Sequence, residues 1–143
     1  MNELCIFESD FWMISHRRDS RYQGYLIVSS KSEASEISEL CIGSLQEIGH
    51  VLSRTEKLLF EVFSPYKVIV AKLGFSKGFS CHFHCIPATN EFMKEIANHS
   101  GYTSEPDGND ALLYASREYC ERELTIEEKM AMEKTVSQLR TYS

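Results

Sequence analysis

The sequence has no long hydrophobic run: nowhere in its 143 residues is there a stretch approaching the roughly 18 consecutive apolar residues that cross a bilayer. It also has no excess of positive charge, since 21 acidic residues outnumber 15 basic ones and the formal net charge is −6. A surface of that sign repels a long nucleic acid. We therefore expect no membrane partner and no nucleic-acid partner.

The chain is also poor in the patterns that build disulfide or zinc frameworks. Its five cysteines are an odd number and none of them forms a CxxC pair. The first ten residues carry acids and no basic segment leading into an apolar run, so we predict no secretory signal. Reduced thiols and a cytoplasmic location are the expectation.

The remaining composition is that of one globular domain over residues 1–143, with 43% apolar and 25% charged residues. Short apolar runs predict strands at residues 5–7, 11–14, 24–28, 66–71 and 79–86, the last two as a hairpin. Apolar residues repeating every three or four positions predict a long helix over about residues 35–63, ended by Pro65.

Helical patterns return in the last third of the chain. We predict a short helix at 90–98, a loop at 103–109 and helix over 111–140. The last of these is interrupted near residues 124–125, where Thr125 and Glu128 form a capping box. Strands, helix, hairpin and helices in this order predict an α+β fold, with an antiparallel sheet covered by helices.

The most informative segment is Ser-Cys-His-Phe-His-Cys-Ile-Pro at residues 80–87. Successive side chains of a strand point to opposite faces, so Ser80, His82 and His84 share one face while Cys81 and Cys85 share the other and enter the core. A mixed cysteine and histidine metal cluster within this segment is therefore excluded.

Two other interpretations of the histidine pair stay open. The pair could bind a metal ion together with further ligands, for which His16, His50 and His99 are candidates without a recognisable spacing. Alternatively, both histidines could be ordinary, partly buried structural residues.

The segment from His82 to Pro87 resembles the second half of the His-φ-His-φ-His-φ-φ motif of the histidine triad (HIT) family of nucleotide hydrolases and transferases. The likeness covers about residues 5–89, which makes residues 1–89 the core motif region and leaves 90–143 as a helical C-terminal extension. It implies a HIT-like fold, in which a long helix and the C-terminal helices pack on an antiparallel sheet of about five strands. It also implies a homodimer whose sheets join edge to edge.

The resemblance further implies an activity and the residues that perform it. His82 stands at the position of the nucleophile, and His84 at that of a donor to the phosphate oxygens, which could neutralise them if protonated. Ser80 replaces the first histidine but retains the main-chain carbonyl that orients the nucleophile. The implied reaction is hydrolysis at the α-phosphate of a nucleoside phosphoramidate or dinucleoside polyphosphate through a nucleotidyl-His82 intermediate.

The alternative is a non-catalytic nucleotide-binding or signalling module, suggested by Ser80. No metal site or cofactor is required, although a divalent cation such as Mg²⁺ could accompany the phosphates. The family also suggests substrate-binding residues: Asp19 against the ribose hydroxyls, and a polar turn beside the leaving group. That turn is formed by Ser76, Lys77 and Gly78.

Each suggested contact has a simpler alternative. Asp19 also fits an ordinary turn, while Lys77 and Lys72, two candidate phosphate contacts, also fit solvated surface lysines. Phe11, Trp12 and Ile14 could flank an adenine, although strand aromatics more often lie in the core. We interpret Arg117 and Glu118 as surface residues of a helix.

Overall fold

The structure is a computed structural model in which residues 3–143 are described. Five antiparallel strands form one sheet in the order β1-β2-β3-β5-β4. The strands are β1 Cys5–Glu8, β2 Trp12–His16, β3 Leu26–Ser30, β4 Lys67–Ala71 and β5 His82–Ala88. The expected α+β fold is confirmed, including the hairpin of β4 and β5.

In the described part of the chain, four α-helices accompany the sheet: α1 Ile42–Phe63, α2 Asn90–Ala97, α3 Gly108–Glu118 and α4 Ile126–Tyr142. The predicted interruption is confirmed, because Thr125 and Glu128 form the capping box that begins α4. None of the helices within residues 3–143 is both long enough and apolar enough to cross a membrane.

The long helix is shorter than predicted. The prediction of helix from residue 35 is wrong, because Cys41 has an extended backbone and its sulfur accepts from the amide of Ser44, which makes Ile42 the first helical residue. The segment before it holds only a single 3₁₀ turn at Ile37–Glu39. The end is as predicted: Ser64 is left-handed at φ +47°, and Pro65 follows.

The two faces of the sheet are covered by different helices. Cys81, Cys85 and Trp12 lie on the face that packs against α1 and α4. Ile86 and Ala88 lie on the other face, beneath α2 and α3. Cys81 and Cys85 are buried in the core, as predicted.

The expected adenine-flanking residues belong to the core side as well. Trp12 and Ile14 are fully buried in the cluster under α1 and α4, and the ring of Phe11 lies against Gly43 of α1. None of the three lines the cleft that contains the histidines, and the burial of Trp12 and Ile14 agrees with the simpler core alternative given above.

Candidate active site

Strand β5 places His82 and His84 side by side. Their ring centroids are 5.2 Å apart, and they lie opposite Ser29 and Ile27 of β3. Helices α2 and α3 cover the later part of the same strand face, at Ile86, and leave the two histidines on the wall of a cleft of about 890 Å³. One phosphate group in the cleft could therefore contact both rings.

The ring of His82 is oriented by the backbone of Ser80. Its Nδ1 lies 2.8 Å from the Ser80 carbonyl oxygen. A carbonyl only accepts, so in the neutral ring Nδ1 carries the proton and Nε2 carries the lone pair. The Ser80 hydroxyl instead donates to the carbonyl of Ser30 at 3.1 Å, away from the imidazole.

The ring of His84 is more enclosed, with 7% of the residue exposed. Its Nδ1 lies 2.8 Å from the hydroxyl of Tyr25. Burial, together with the charges of His82 and Arg17, lowers the pKa of His84 to about 4. His84 is therefore neutral near pH 7, which differs from the protonated imidazole considered from the sequence.

Behind His84 lies a chain of polar contacts. Arg17 donates through Nη1 to the Tyr25 hydroxyl at 2.9 Å and through Nε to Asp19 Oδ1 at 2.7 Å. The other carboxylate oxygen, Asp19 Oδ2, accepts from the backbone amide of Glu121 at 3.1 Å. Burial would raise the pKa of Asp19, but the hydrogen bond and charge of Arg17 lower it. Asp19 lines the cleft, yet each of its oxygens already accepts one hydrogen bond.

Some of the residues suggested as phosphate contacts line the cleft and others do not. Ser76 lines the cleft, whereas Lys77 and Gly78 are exposed and lie outside its lining. Lys72 also lies outside it and forms an ion pair with Glu36 at 3.0 Å. The structure thus places Ser76 on the cleft and Lys72, Lys77 and Gly78 outside its lining, and the substrate contacts suggested for these residues stay predictions.

Several cleft residues were not predicted. Helix α3 supplies part of the wall, and Arg117, interpreted above as a surface residue, faces the cleft together with Leu113. Arg17 and Arg18 line it as well, so three arginines stand against two carboxylates, Asp19 and Glu121. Tyr25 directly precedes β3, and its fully buried side chain reaches His84 across the strand pair.

The metal interpretation gains no support from the arrangement of ligands. Within residues 3–143, no three or more His, Cys, Asp or Glu side chains are grouped so that they could hold a metal ion. Both ring nitrogens of His16 are engaged, one donating to the Arg17 carbonyl and the other accepting from the Gly24 amide. Burial also lowers the pKa of His16, which makes it a structural, neutral histidine.

The five-stranded antiparallel sheet, with two neighbouring histidines on β5, has the fold of the histidine triad proteins. The resemblance predicted from the sequence is therefore confirmed at the level of the fold. No family model and no curated protein matches the sequence. Three solved structures illustrate the match.

A HIT-like protein of Bartonella henselae involved in cell-cycle regulation is 12% identical, with a TM-score of 0.65 over 100% of this chain and 88% of the other. The diadenosine triphosphate hydrolase of Plasmodium falciparum is 10% identical, with a TM-score of 0.65 over 99% and 77%. A zinc-bound histidine triad family protein of Mycobacterium smegmatis is 13% identical, with a TM-score of 0.55 over 100% and 90%.

Proposed function

We propose that this chain is a nucleotide hydrolase that cleaves a P–N or P–O–P bond at the α-phosphate through a nucleotidyl-His82 intermediate. The observation that carries the proposal is the orientation of His82. The Ser80 carbonyl holds the proton on Nδ1, and this leaves the Nε2 lone pair available beside His84 on a cleft large enough for a nucleotide.

In the first step, the Nε2 lone pair of His82 attacks the α-phosphorus and forms a P–N bond. The bond to the leaving nitrogen or oxygen breaks, and that atom departs with the bonding pair and takes a proton from solvent. His82 becomes positively charged, and the Ser80 carbonyl stabilises it through the hydrogen bond from Nδ1. His84 donates to an equatorial phosphate oxygen as the charge develops there.

In the second step, water attacks the same phosphorus and the P–N bond to His82 breaks. The bonding pair returns to Nε2, the water proton passes to solvent, and the nucleoside monophosphate leaves. Neither step uses the side chain of Ser80, because the group of Ser80 that is hydrogen-bonded to His82 is its main-chain carbonyl, while its hydroxyl donates to the carbonyl of Ser30.

The remaining cleft residues provide both charged and apolar groups, and a nucleotide needs both. Arg18 and Arg117 offer guanidinium groups for phosphate oxygens. Exposed apolar side chains that also line the cleft, Leu73, Phe75 and Phe79, offer a surface for a base or an apolar leaving group. The mechanism uses no metal ion of the protein; Mg²⁺ on the substrate phosphates is a variable for the assay.

A homodimer is part of the same proposal. Strand β4 lies at one edge of the sheet, and Val70 on it is 40% exposed. An apolar edge strand pairs readily with a second copy. Such pairing would join the two five-stranded sheets into one continuous sheet that carries both clefts.

The alternative is a module that binds nucleotides without turning them over, and the specific observation in its favour is Ser80 in place of the first triad histidine. It predicts binding with no hydrolysis above that of buffer. Both proposals place the nucleotide in the same cleft, so the assay must measure binding and turnover on the same preparation.

The test is a panel of adenosine and guanosine phosphoramidates and dinucleoside polyphosphates, each with and without Mg²⁺. The variants are His82→Asn and, as a matched control, His50→Asn, an exposed histidine of α1 away from the cleft. We expect His82→Asn to lose on the order of 10³-fold or more in kcat and His50→Asn to retain the parent rate. Equal rates for His82→Asn and the parent would refute the mechanism, and binding without turnover would establish the alternative.

A further inference from the structure

We propose that Tyr25 is a positioning residue for His84, whose hydroxyl, itself held by Arg17, keeps that imidazole neutral with its single proton on Nε2. The catalytic meaning of this inference rests on the proposed hydrolase function, whereas the tautomer is a property of the folded protein alone. It makes the second histidine a fixed hydrogen-bond donor and not a cation.

The direction of the hydrogen bonds follows from what each group can do. The Arg17 guanidinium only donates, so at 2.9 Å the Tyr25 oxygen must accept from it. The Tyr25 proton then needs an acceptor. Among residues 3–143, His84 Nδ1, at 2.8 Å, is the other group bonded to this hydroxyl. Tyr25 therefore donates to Nδ1, and the proton of the neutral ring lies on Nε2.

The opposite arrangement is costly in this environment. If His84 carried a proton on Nδ1, the Tyr25 oxygen would accept from both His84 and Arg17, and its own proton would be left without a partner in a residue with 0% exposure. A positive His84 would also face the Arg17 charge through one shared hydroxyl. The lowered pKa of His84 agrees with this geometry.

Arg17 is itself held in place by the C-terminal extension. Its Nε donates to Asp19 Oδ1 at 2.7 Å, and Asp19 Oδ2 accepts at 3.1 Å from the amide of Glu121, between α3 and α4. Glu121 adopts a left-handed backbone with φ +67°, an uncommon conformation for a residue other than glycine, at the point where its amide donates to the carboxylate. The extension thus contributes to the state of His84 as well as to the cleft wall.

The chemical consequence lies at the cleft. Nε2 of His84 makes no hydrogen bond to the part of the chain that the structure describes, and the residue lines the cleft. A donor fixed before the substrate arrives needs no reorganisation when charge develops on phosphate oxygens. Because the donor stays neutral, it leaves the product monophosphate less tightly held than a cation would.

The first arm of the test is histidine ¹⁵N NMR on the unmodified protein, which needs no variant to fold. We expect His84 near pH 7 to show a protonated Nε2 and an unprotonated Nδ1. In Tyr25→Phe we expect a mixture of tautomers. The control is Tyr22→Phe, which removes another hydrogen-bonded, partly buried hydroxyl, here bonded to the Pro87 carbonyl, and should leave the His84 signals unchanged. A cationic or Nδ1-protonated His84 in the parent would overturn the proposal.

The second arm measures turnover in a double-mutant cycle. Partners behind a functional histidine commonly contribute about 10- to 100-fold in activity, so we expect Tyr25→Phe to lower kcat by that factor with little change in KM. In a His84→Gln background, whose amide donates without a tautomer, Tyr25→Phe should cost less than threefold by the coupling logic of such cycles. Equal losses in both backgrounds would show that Tyr25 does not act through His84 and would overturn the proposal.

The two arms separate this inference from the proposed function. A parent protein that hydrolyses nothing in the panel, yet shows the expected tautomer that Tyr25→Phe disturbs, would refute the hydrolase and uphold the role of Tyr25. A parent protein that hydrolyses the panel but carries the His84 proton on Nδ1 would uphold the hydrolase and refute the role of Tyr25.

Discussion

Acidification is expected to destabilise this protein through His84. The folded protein holds His84 as a neutral ring with 7% exposure, next to His82 and Arg17 and bonded to Tyr25, whereas the unfolded chain exposes it to water. Below pH 6.5 the unfolded chain takes up a proton on this ring, and the folded protein does so only near pH 4. Stability contributed by the neutral ring is thus fully present above pH 6.5 and lost as pH falls towards 4.

The magnitude follows from the displacement of the pKa. One pKa unit corresponds to about 1.4 kcal/mol, so a displacement from 6.5 to about 4 corresponds to about 3 kcal/mol in total and about 2 kcal/mol at pH 5. Native proteins typically have free energies of unfolding of about 5–15 kcal/mol, so a loss of this size is measurable.

The assay is urea unfolding of the parent and of His84→Gln at pH 7.5, 6, 5 and 4, because the glutamine fills the site without titrating. His16, whose pKa is also lowered by burial, is present in both proteins and cancels in the comparison. We expect the stability of the parent to fall relative to the variant by about 2 kcal/mol between pH 7.5 and 5. Equal losses in the free energy of unfolding of the two proteins would refute the conclusion that His84 is a neutral, enclosed ring.

Three further predictions follow from the site and the sheet edge. Ser80→Ala should leave kcat nearly unchanged, since the carbonyl that orients the nucleophile remains; a large loss would assign the hydroxyl a role. Arg117→Gln should raise KM for a nucleotide about tenfold through loss of a charge-assisted contact, while Lys72→Gln, outside the cleft, should not. Val70→Lys on the β4 edge should convert a dimer to a monomer in light scattering, and an unaltered mass would place the interface elsewhere.

Local patterns were sufficient for most of the fold and for the centre of the site. The two-residue period of β5 determines that His82 and His84 share a face and that Cys81 and Cys85 enter the core, because that period is a property of every strand. The capping box at Thr125 likewise needs only neighbours in sequence. For the same reason the hairpin of β4 and β5 followed from its glycine turn.

Features that depend on distant contacts could not be predicted. Lys72 is held by Glu36, Arg117 reaches the cleft because α3 docks on the sheet, and Asp19 is bonded by the amide of Glu121. The sequence alone does not distinguish Tyr25 from the apolar residues of its strand. Its role depends on the pairing of β3 with β5, which brings its hydroxyl to His84. In each case the partner lies in an element whose position a linear pattern does not specify.

The stereochemistry at phosphorus tests the two-step mechanism most directly. A nucleoside phosphoramidate or polyphosphate with a chiral α-phosphorothioate would be hydrolysed in ¹⁸O-labelled water, and the configuration of the product determined. Attack by His82 followed by attack by water inverts the phosphorus twice, so the account predicts net retention. Net inversion would mean that water attacks the substrate directly, and His82 would not be the nucleophile.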